Sequence, residues 1–364
     1  MLIKAAVLRG PDAAYRIEEV TLAEPGPGEV LVSIKGVGLC HTDTLPRRTQ
    51  SNPMRAIVPG HEGAGVVEIV GPYVDGLQPG DHVVLTYDSC RACGECMSGS
   101  PAYCETFTQR NLRGTGLDQR PIITDSHGAP VAGRWFGQSS FATHAVVAAR
   151  NVIAVDKQLP IELLGPLGCG VQTGAGAVLV ALDVRAGTSI VVFGAGGVGL
   201  SAVMAAKLAG ASTIIAVDLH QNRLTLASEL GATHTFVGSE PQLASRIRAV
   251  TDGGAHFALD TTSLASVAVV ALESLRPSGV CGLLGLPHGD IVVDPAMLLG
   301  RSITGIVEGN TVPQVFIPKL ITLWRQGMFP FDKLIKTFRL DEINEAERAS
   351  ADGSVIKPVL LPHG

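Results

Sequence analysis

Apolar positions along the chain follow two different rhythms. Over residues 1–165 they come in short runs, at 30–37 (VLVSIKGV), 63–70 (GAGVVEIV) and 82–86 (HVVLT). Breaks rich in Gly and Pro, such as Glu24-Pro25-Gly26-Pro27-Gly28 and Pro79-Gly80-Asp81, separate them. Short runs between turn signals predict a β-rich domain. The opening MLIKAAVLRG has no long apolar core and no small-residue cleavage site, so it reads as a first strand and not as a leader.

Near residue 170 the rhythm changes. A buried strand is predicted at 189–193 (SIVVF), a helix at 197–209, a strand at 213–217 and a helix at 221–230. The alternation continues with a strand at 234–237, a helix at 241–250, a strand at 256–259 and a helix at 264–275. Strands at 279–286 and 302–307 and a helix at 314–326 follow. Such alternation implies an α/β fold with a doubly wound parallel sheet covered by helices on both faces. The expected division is residues 1–170 as a first, β-rich domain, 171–308 as a nucleotide-binding domain, and 309–364 as a segment returning to the first.

A chain of 364 residues is comfortable for two domains, and 46% hydrophobic against 17% charged residues excludes disorder. A formal charge of −5 with no basic block argues against nucleic acid as a partner. No stretch approaches the ~18 apolar residues of a membrane span. A cytoplasmic protein is expected.

The segment Gly194-Ala195-Gly196-Gly197-Val198-Gly199 carries Gly-x-Gly-x-x-Gly between a predicted strand and a predicted helix. Glycines there permit a tight turn and close approach of a pyrophosphate to the helix N-terminus. Asp218 ends the next strand, where a carboxylate accepts hydrogen bonds from the adenosine ribose and repels a 2′-phosphate, so NAD is expected over NADP. Arg223, one turn into the following helix, either contacts the same ribose or is a solvated helix charge.

Seven cysteines occur: Cys40, Cys90, Cys93, Cys96, Cys104, Cys169 and Cys281. An odd count without a secretion signal argues against a disulfide framework. Cys90, Cys93, Cys96 and Cys104 fall within fifteen residues. Four close thiolates suit a closed tetrahedral zinc of structural type, with an iron–sulfur cluster as the competing occupant. Cys40, His61 and Cys169 are far apart in sequence, each in a turn-like or Gly-flanked setting, and offer a Cys2His set with one position left open.

Taken together, Gly38-Leu39-Cys40-His41-Thr42-Asp43, Gly60-His61-Glu62-Gly63-x-Gly65, the four-cysteine lobe, Gly168-Cys169-Gly170 and the Gly194–Gly199 loop resemble the zinc-containing medium-chain alcohol dehydrogenases. The resemblance runs over essentially the full length. It implies a GroES-like β domain carrying two zinc ions, a Rossmann domain, and a homodimer or homotetramer. It assigns Cys40, His61 and Cys169 to the catalytic zinc, the ligand set such enzymes use. Glu62 would stand behind the metal as a transient or outer ligand, and Asp43 would orient His61. Thr42 would take the alcohol proton toward the nicotinamide ribose, and His41 would meet the pyrophosphate. Zinc would act as a Lewis acid on the alcohol, and NAD would take the hydride.

One position departs from the common pattern. Many members carry a His five residues after the first zinc cysteine, whereas this chain has Leu45. An apolar residue there, with Gly305-Ile306-Val307-Glu308-Gly309-Asn310 and the 316–332 segment, resembles the aryl-alcohol and terpene-alcohol subgroup. The expected activity is oxidation of a primary aryl or allylic alcohol to its aldehyde. A polyol or glutathione-dependent formaldehyde dehydrogenase is the alternative. A zinc-free reductase of the same superfamily or a silent relative would have no use for the Cys40, His61 and Cys169 set.

Overall fold

A computed structural model describes residues 1–48, 56–285 and 289–364. The chain forms two compact units. The first comprises Met1–Cys169, Val312–Lys319 and Asp332–Gly364, and the second Gly170–Thr311 and Leu320–Phe331.

The first unit begins with β1 (Leu2–Val7), β2 (Arg16–Leu22), β3 (Glu29–Gly38), β4 (Glu62–Val70) and β5 (His82–Leu85). Short strands β6 (Ile123–Thr124) and β7 (Pro130–Val131) precede β8 (His144–Ala148) and β9 (Val152–Val155). β1 pairs antiparallel with β2, and β6 and β7 extend that sheet. β3 is the spine of the larger sheet. It pairs antiparallel with β4 along its length and with β8 at residues 29–33. Enclosed by partners, β3 is mostly buried, with Val30, Val32 and Ile34 fully so. These side chains join Val67, Val83, Leu85, Phe141 and Val146 in one core.

The second unit is a six-stranded, wholly parallel sheet. Its strands are β10 (Ser189–Phe193), β11 (Thr213–Asp218), β12 (His234–Val237), β13 (Ala255–Asp260), β14 (Leu275–Leu284) and β15 (Ser302–Ile306). Their order is β12-β11-β10-β13-β14-β15. Helices Gly197–Leu208 and Gln221–Leu230 carry the chain outward from β10 to β12. Helices Leu243–Val250 and Ala265–Glu273 carry it back past β10 to β14. Right-handed crossovers in opposite directions place the two pairs on opposite faces. The expected α/β fold with helices on both faces is therefore present. The strand order reverses between β10 and β13, which is where such sheets bind nucleotides.

The expected elements of the second unit match to within two residues except around one boundary. Helix 264–275 was to run to the residue where β14 already begins, because Leu275 pairs with Ala255 and is fully buried. Pro277 follows, and the position before a proline disfavours helix, so Arg276 cannot extend it. The strand expected at 279–286 thus starts early, and its last residue lies outside the described ones. The chain then returns to the first unit as β16 (Ile335–Arg339) and β17 (Lys357–Leu361). β17 pairs antiparallel with the end of β3 at Val37 and Gly38. Among the described residues no helix is long and apolar enough to cross a membrane.

Candidate active site

Four predicted residues converge at the end of β3. Cys40 opens the tight turn His41–Thr44, His61 immediately precedes β4, Glu62 begins it, and Cys169 closes the turn Gly165–Gly168. One potential ligand atom from each lies within 4.8 Å of the others. Gly60 lets the chain deliver His61: its φ is +91°, and a Cβ there would stand 2.4 Å from the Phe141 amide nitrogen.

Asp43 organises the group. The His61 Nδ1–H donates to Asp43 Oδ1 at 2.8 Å. The amide of Gly60 and the indole Nε1–H of Trp135 donate to the same oxygen at 2.9 and 3.1 Å. The Cys40 amide donates to Oδ2 at 3.2 Å. A carboxylate only accepts, so the proton is fixed on Nδ1 and Nε2 faces the cysteines. His61 Nε2 is buried without a hydrogen-bond partner. An orphaned imidazole nitrogen among two thiols and a carboxylate is the donor set zinc takes. Without metal, a hydrogen bond from Cys169 holds the Cys40 thiol well below its ordinary value despite burial. Burial opposes charge on His61, but Asp43 outweighs it and raises the imidazole well above its usual range. Metal loading therefore displaces a proton and is pH-dependent.

Glu62 is fully buried and carries a partner that no local pattern announces. Lys357 Nζ, from β17, donates to both Glu62 carboxylate oxygens at 3.0 Å and to the Leu39 carbonyl at 3.2 Å. Sequence reading missed Lys357, Trp135 and Gln138. A lone lysine inside the apolar run Val355-Ile356-Lys357-Pro358-Val359 was the available hint. His41 is exposed and Thr42 half-buried on the same turn as Asp43. Leu45 caps that turn and packs on the first core.

The second cysteine set also assembles. Cys90, Cys93, Cys96 and Cys104 bring their sulfurs within 4.8 Å of one another, and none forms a disulfide. Backbone amides already point at them. Those of Ala92 and Cys93 donate to Cys90 Sγ at 3.4 and 3.2 Å, and that of Cys90 donates to Cys104 Sγ at 3.3 Å. Such donors stabilise thiolates, and four thiolates leave no open position. Asp88 braces the lobe by accepting from Arg110 and Arg150.

In the second unit the glycine loop joins β10 to helix Gly197–Leu208, with Gly196 at the helix cap. Gly197 and Val198 form its first turn. A Cβ on Gly199 would lie 1.7 Å from the Gly194 carbonyl oxygen, so the loop closes only with glycine there. Asp218 ends β11. Its Oδ2 accepts from the Ala195 amide at 2.7 Å and its Oδ1 from the His220 amide at 2.9 Å. The carboxylate is thus bound to the loop itself, and Arg223 Nη1 lies 3.8 Å from it. Gly194, Gly196, Gly199, Asp218 and Arg223 are brought together at the strand ends.

Residues 26–157 match the model of the alcohol dehydrogenase GroES-like domain, and residues 197–323 match that of the zinc-binding dehydrogenase. Geraniol dehydrogenase of Castellaniella defragrans is 45% identical over 363 residues, covering 98% of this chain and 97% of that one. The chain belongs to the zinc-binding alcohol dehydrogenases. Solved structures agree. A zinc-binding alcohol dehydrogenase domain protein from Burkholderia ambifaria superposes with a TM-score of 0.96 at 47% identity, covering all of both chains. Benzyl alcohol dehydrogenase from Acinetobacter calcoaceticus does so at 0.94 and 42%, covering 99% of each. The GroES-like and Rossmann expectation holds, and the family uses zinc and NAD(H) on small alcohols and aldehydes. In this dehydrogenase the two donor sets fit two zinc ions.

Proposed function

We propose that this enzyme oxidises primary allylic or aryl alcohols to aldehydes with NAD, at a zinc held by Cys40, His61 and Cys169. The observation that carries the metal assignment is the buried, unpartnered Nε2 of His61 facing both cysteines. When bound, zinc supplies a Lewis acid that makes an alcohol hydroxyl acidic near neutral pH, and NAD supplies the hydride acceptor. The chain does the rest. Asp43 fixes the His61 tautomer, and Lys357 holds Glu62 in reserve behind the ligands. The Thr42 hydroxyl would accept the alcohol proton and, with NAD bound, hand it on toward the nicotinamide ribose. Leu45 cannot carry it further, so water or another group would. His41 would meet the pyrophosphate of NAD, and Asp218 with Arg223 would meet its adenosine ribose. Cys90, Cys93, Cys96 and Cys104 hold a second, structural zinc.

Residues 1–170 serve as catalytic domain, 171–308 as NAD-binding domain and 309–364 as the returning segment. The grouping of Val312–Lys319 and Asp332–Gly364 with the first unit supports the return, while Leu320–Phe331 groups with the second. Seven cysteines with no disulfide among them suit the cytoplasm. The exposed edge strand β15, with Leu298 and Leu299 exposed just before it, supports a homodimer or homotetramer.

The allylic or aryl preference rests on Leu45 and on likeness to the geraniol and benzyl alcohol dehydrogenases. Conjugation also stabilises the aldehyde and the carbonyl developing in the transition state. A side-by-side panel of geraniol, benzyl alcohol, ethanol and sorbitol, read by NADH absorbance, tests it. The conjugated alcohols are expected to lead in kcat/KM. A tenfold lead for ethanol or sorbitol refutes the substrate class and leaves the chemistry standing.

A further inference from the structure

Behind His61 lies a segment whose backbone is forced into an unusual shape. Phe136 has φ 50° and ψ 32°, Gly137 φ 69° and Ser139 φ 51°. A left-handed conformation at a bulky aromatic residue is a rare outlier, and outliers persist only where surrounding contacts over-determine them. Glycine would adopt that conformation without strain. The ring must therefore serve something.

It lies on His61. The two rings stack with centroids 4.4 Å apart and planes 26° from parallel. Phe136 also meets Phe107 nearly at right angles, with centroids 6.2 Å apart and planes at 86°. Phe107 itself follows Cys104, and its amide donates to the Cys104 carbonyl at 2.8 Å. The neighbours of Phe136 hold the remaining freedoms of the same ligand. Trp135 Nε1 donates to Asp43 Oδ1, the oxygen that accepts from His61 Nδ1–H. Gln138 Nε2 donates to the His61 carbonyl at 2.8 Å, and Gln138 Oε1 accepts from the Gly63 amide at 3.1 Å. Trp135, Phe136 and Gln138 are all buried.

We infer that Trp135, Phe136 and Gln138 form a positioning clamp that fixes the direction of His61 Nε2 and thereby sets how tightly the catalytic zinc is retained. This rests on the ligand assignment proposed above. Asp43 fixes one ring nitrogen but leaves the ring free to rock about that hydrogen bond. The Phe136 face removes the rocking. The Gln138 bond fixes the backbone from which the ring hangs, and the Trp135 N–H fixes the Asp43 oxygen. Outer groups around metal ligands typically govern affinity by tenfold or more.

The test compares purified wild type with Phe136→Gly, Phe136→Tyr and Trp135→Phe. Phe136→Gly keeps the left-handed backbone free of strain and loses the ring. Phe136→Tyr keeps the ring, and Trp135→Phe loses the N–H together with the five-membered part of the indole. Zinc release into a chromophoric chelator is followed on the zinc-loaded protein, with the four-cysteine zinc as internal control. One of the two equivalents is expected to leave on the order of tenfold faster in Phe136→Gly and Trp135→Phe, the other at the wild-type rate. Phe136→Tyr should restore retention. The visible spectrum of the cobalt-substituted protein should change in Trp135→Phe and Phe136→Gly and stay as in wild type in Phe136→Tyr, a pattern a merely structural contact would not cause. Wild-type release of both equivalents from folded Phe136→Gly and Trp135→Phe overturns the inference. If Phe136→Gly does not fold, the Trp135→Phe rate alone decides. A wild type holding a single zinc, or Cys169→Ser still holding two, would instead defeat the ligand assignment beneath it.

Discussion

Replacing Lys357 by Met is the sharpest perturbation of the site that leaves every proposed ligand in place. Lys357 is 4% exposed and Glu62 is 0% exposed, and the ammonium is 3.0 Å from both carboxylate oxygens. Removing one partner of such a pair strands a buried charge, which costs about 3–5 kcal/mol. Each kcal/mol shifts Tm by about 2–4 °C in a domain of this size, so a fall of roughly 6–20 °C is expected. Burial alone would lower the Lys357 pKa, but Glu62 outweighs it and holds the ammonium above its ordinary 10.5. A folded-state pKa raised in this way contributes stability that is complete below 10.5 and lost as pH rises beyond it. The gap between wild type and variant should therefore be constant through neutral pH and narrow in strong alkali. Burial raises the Glu62 carboxyl, and Lys357 partly counters it. Without Lys357 that carboxyl rises further, so the variant should regain stability on acidification. Calorimetric melts of zinc-loaded protein provide the assay, with Glu62→Gln and the double variant completing a cycle. The double variant should recover most of the loss, since neutral groups of similar volume replace both charges. A loss under about 1 kcal/mol in Lys357→Met, with no recovery in the double variant, would refute the reasoning.

Two further outcomes follow from the nucleotide loop and from Leu45. NAD should be preferred over NADP by at least about tenfold, since an unpaired phosphate–carboxylate contact costs on the order of 1.4 kcal/mol or more. Because Asp218 also accepts from the Ala195 and His220 amides, Asp218→Ala should lower kcat/KM for both cofactors while narrowing their ratio, and equal wild-type values would contradict the role given to Asp218. Leu45→His should alter the pH dependence of alcohol oxidation below neutrality, where proton removal is least favourable. Superimposable profiles would place Leu45 off the proton path.

What could be read from the sequence was local. The β10–Gly194–Gly199–Asp218 unit is legible because its strand, turn, helix and acid follow one another within a single crossover, and hydrophobic periodicity marks each part. The four cysteines are legible because thiols so closely spaced have few other uses. The convergence of Cys40, His61 and Cys169 was drawn from family resemblance, since 129 positions separate the first from the last and spacing alone does not pair them. Lys357 and Glu62 are 295 positions apart and meet because β17 returns to β3. Phe136 was illegible for another reason. Its left-handed backbone is imposed by packing against His61 and Phe107, and local propensity opposes it. The early start of β14 likewise came from the pairing of Leu275 with Ala255, which outweighed a helical pattern running into Arg276 and Pro277.

Zinc content and turnover of Cys169→Ser, measured on one preparation beside wild type, test the central assignment most directly. Wild type should carry close to two zinc ions per chain and reduce NAD with benzyl alcohol or geraniol. The variant should keep the four-cysteine zinc and a native circular dichroism spectrum, lose the other ion, and produce no NADH. A wild type fully active with one zinc, or a variant that turns over at the wild-type rate, would contradict the account.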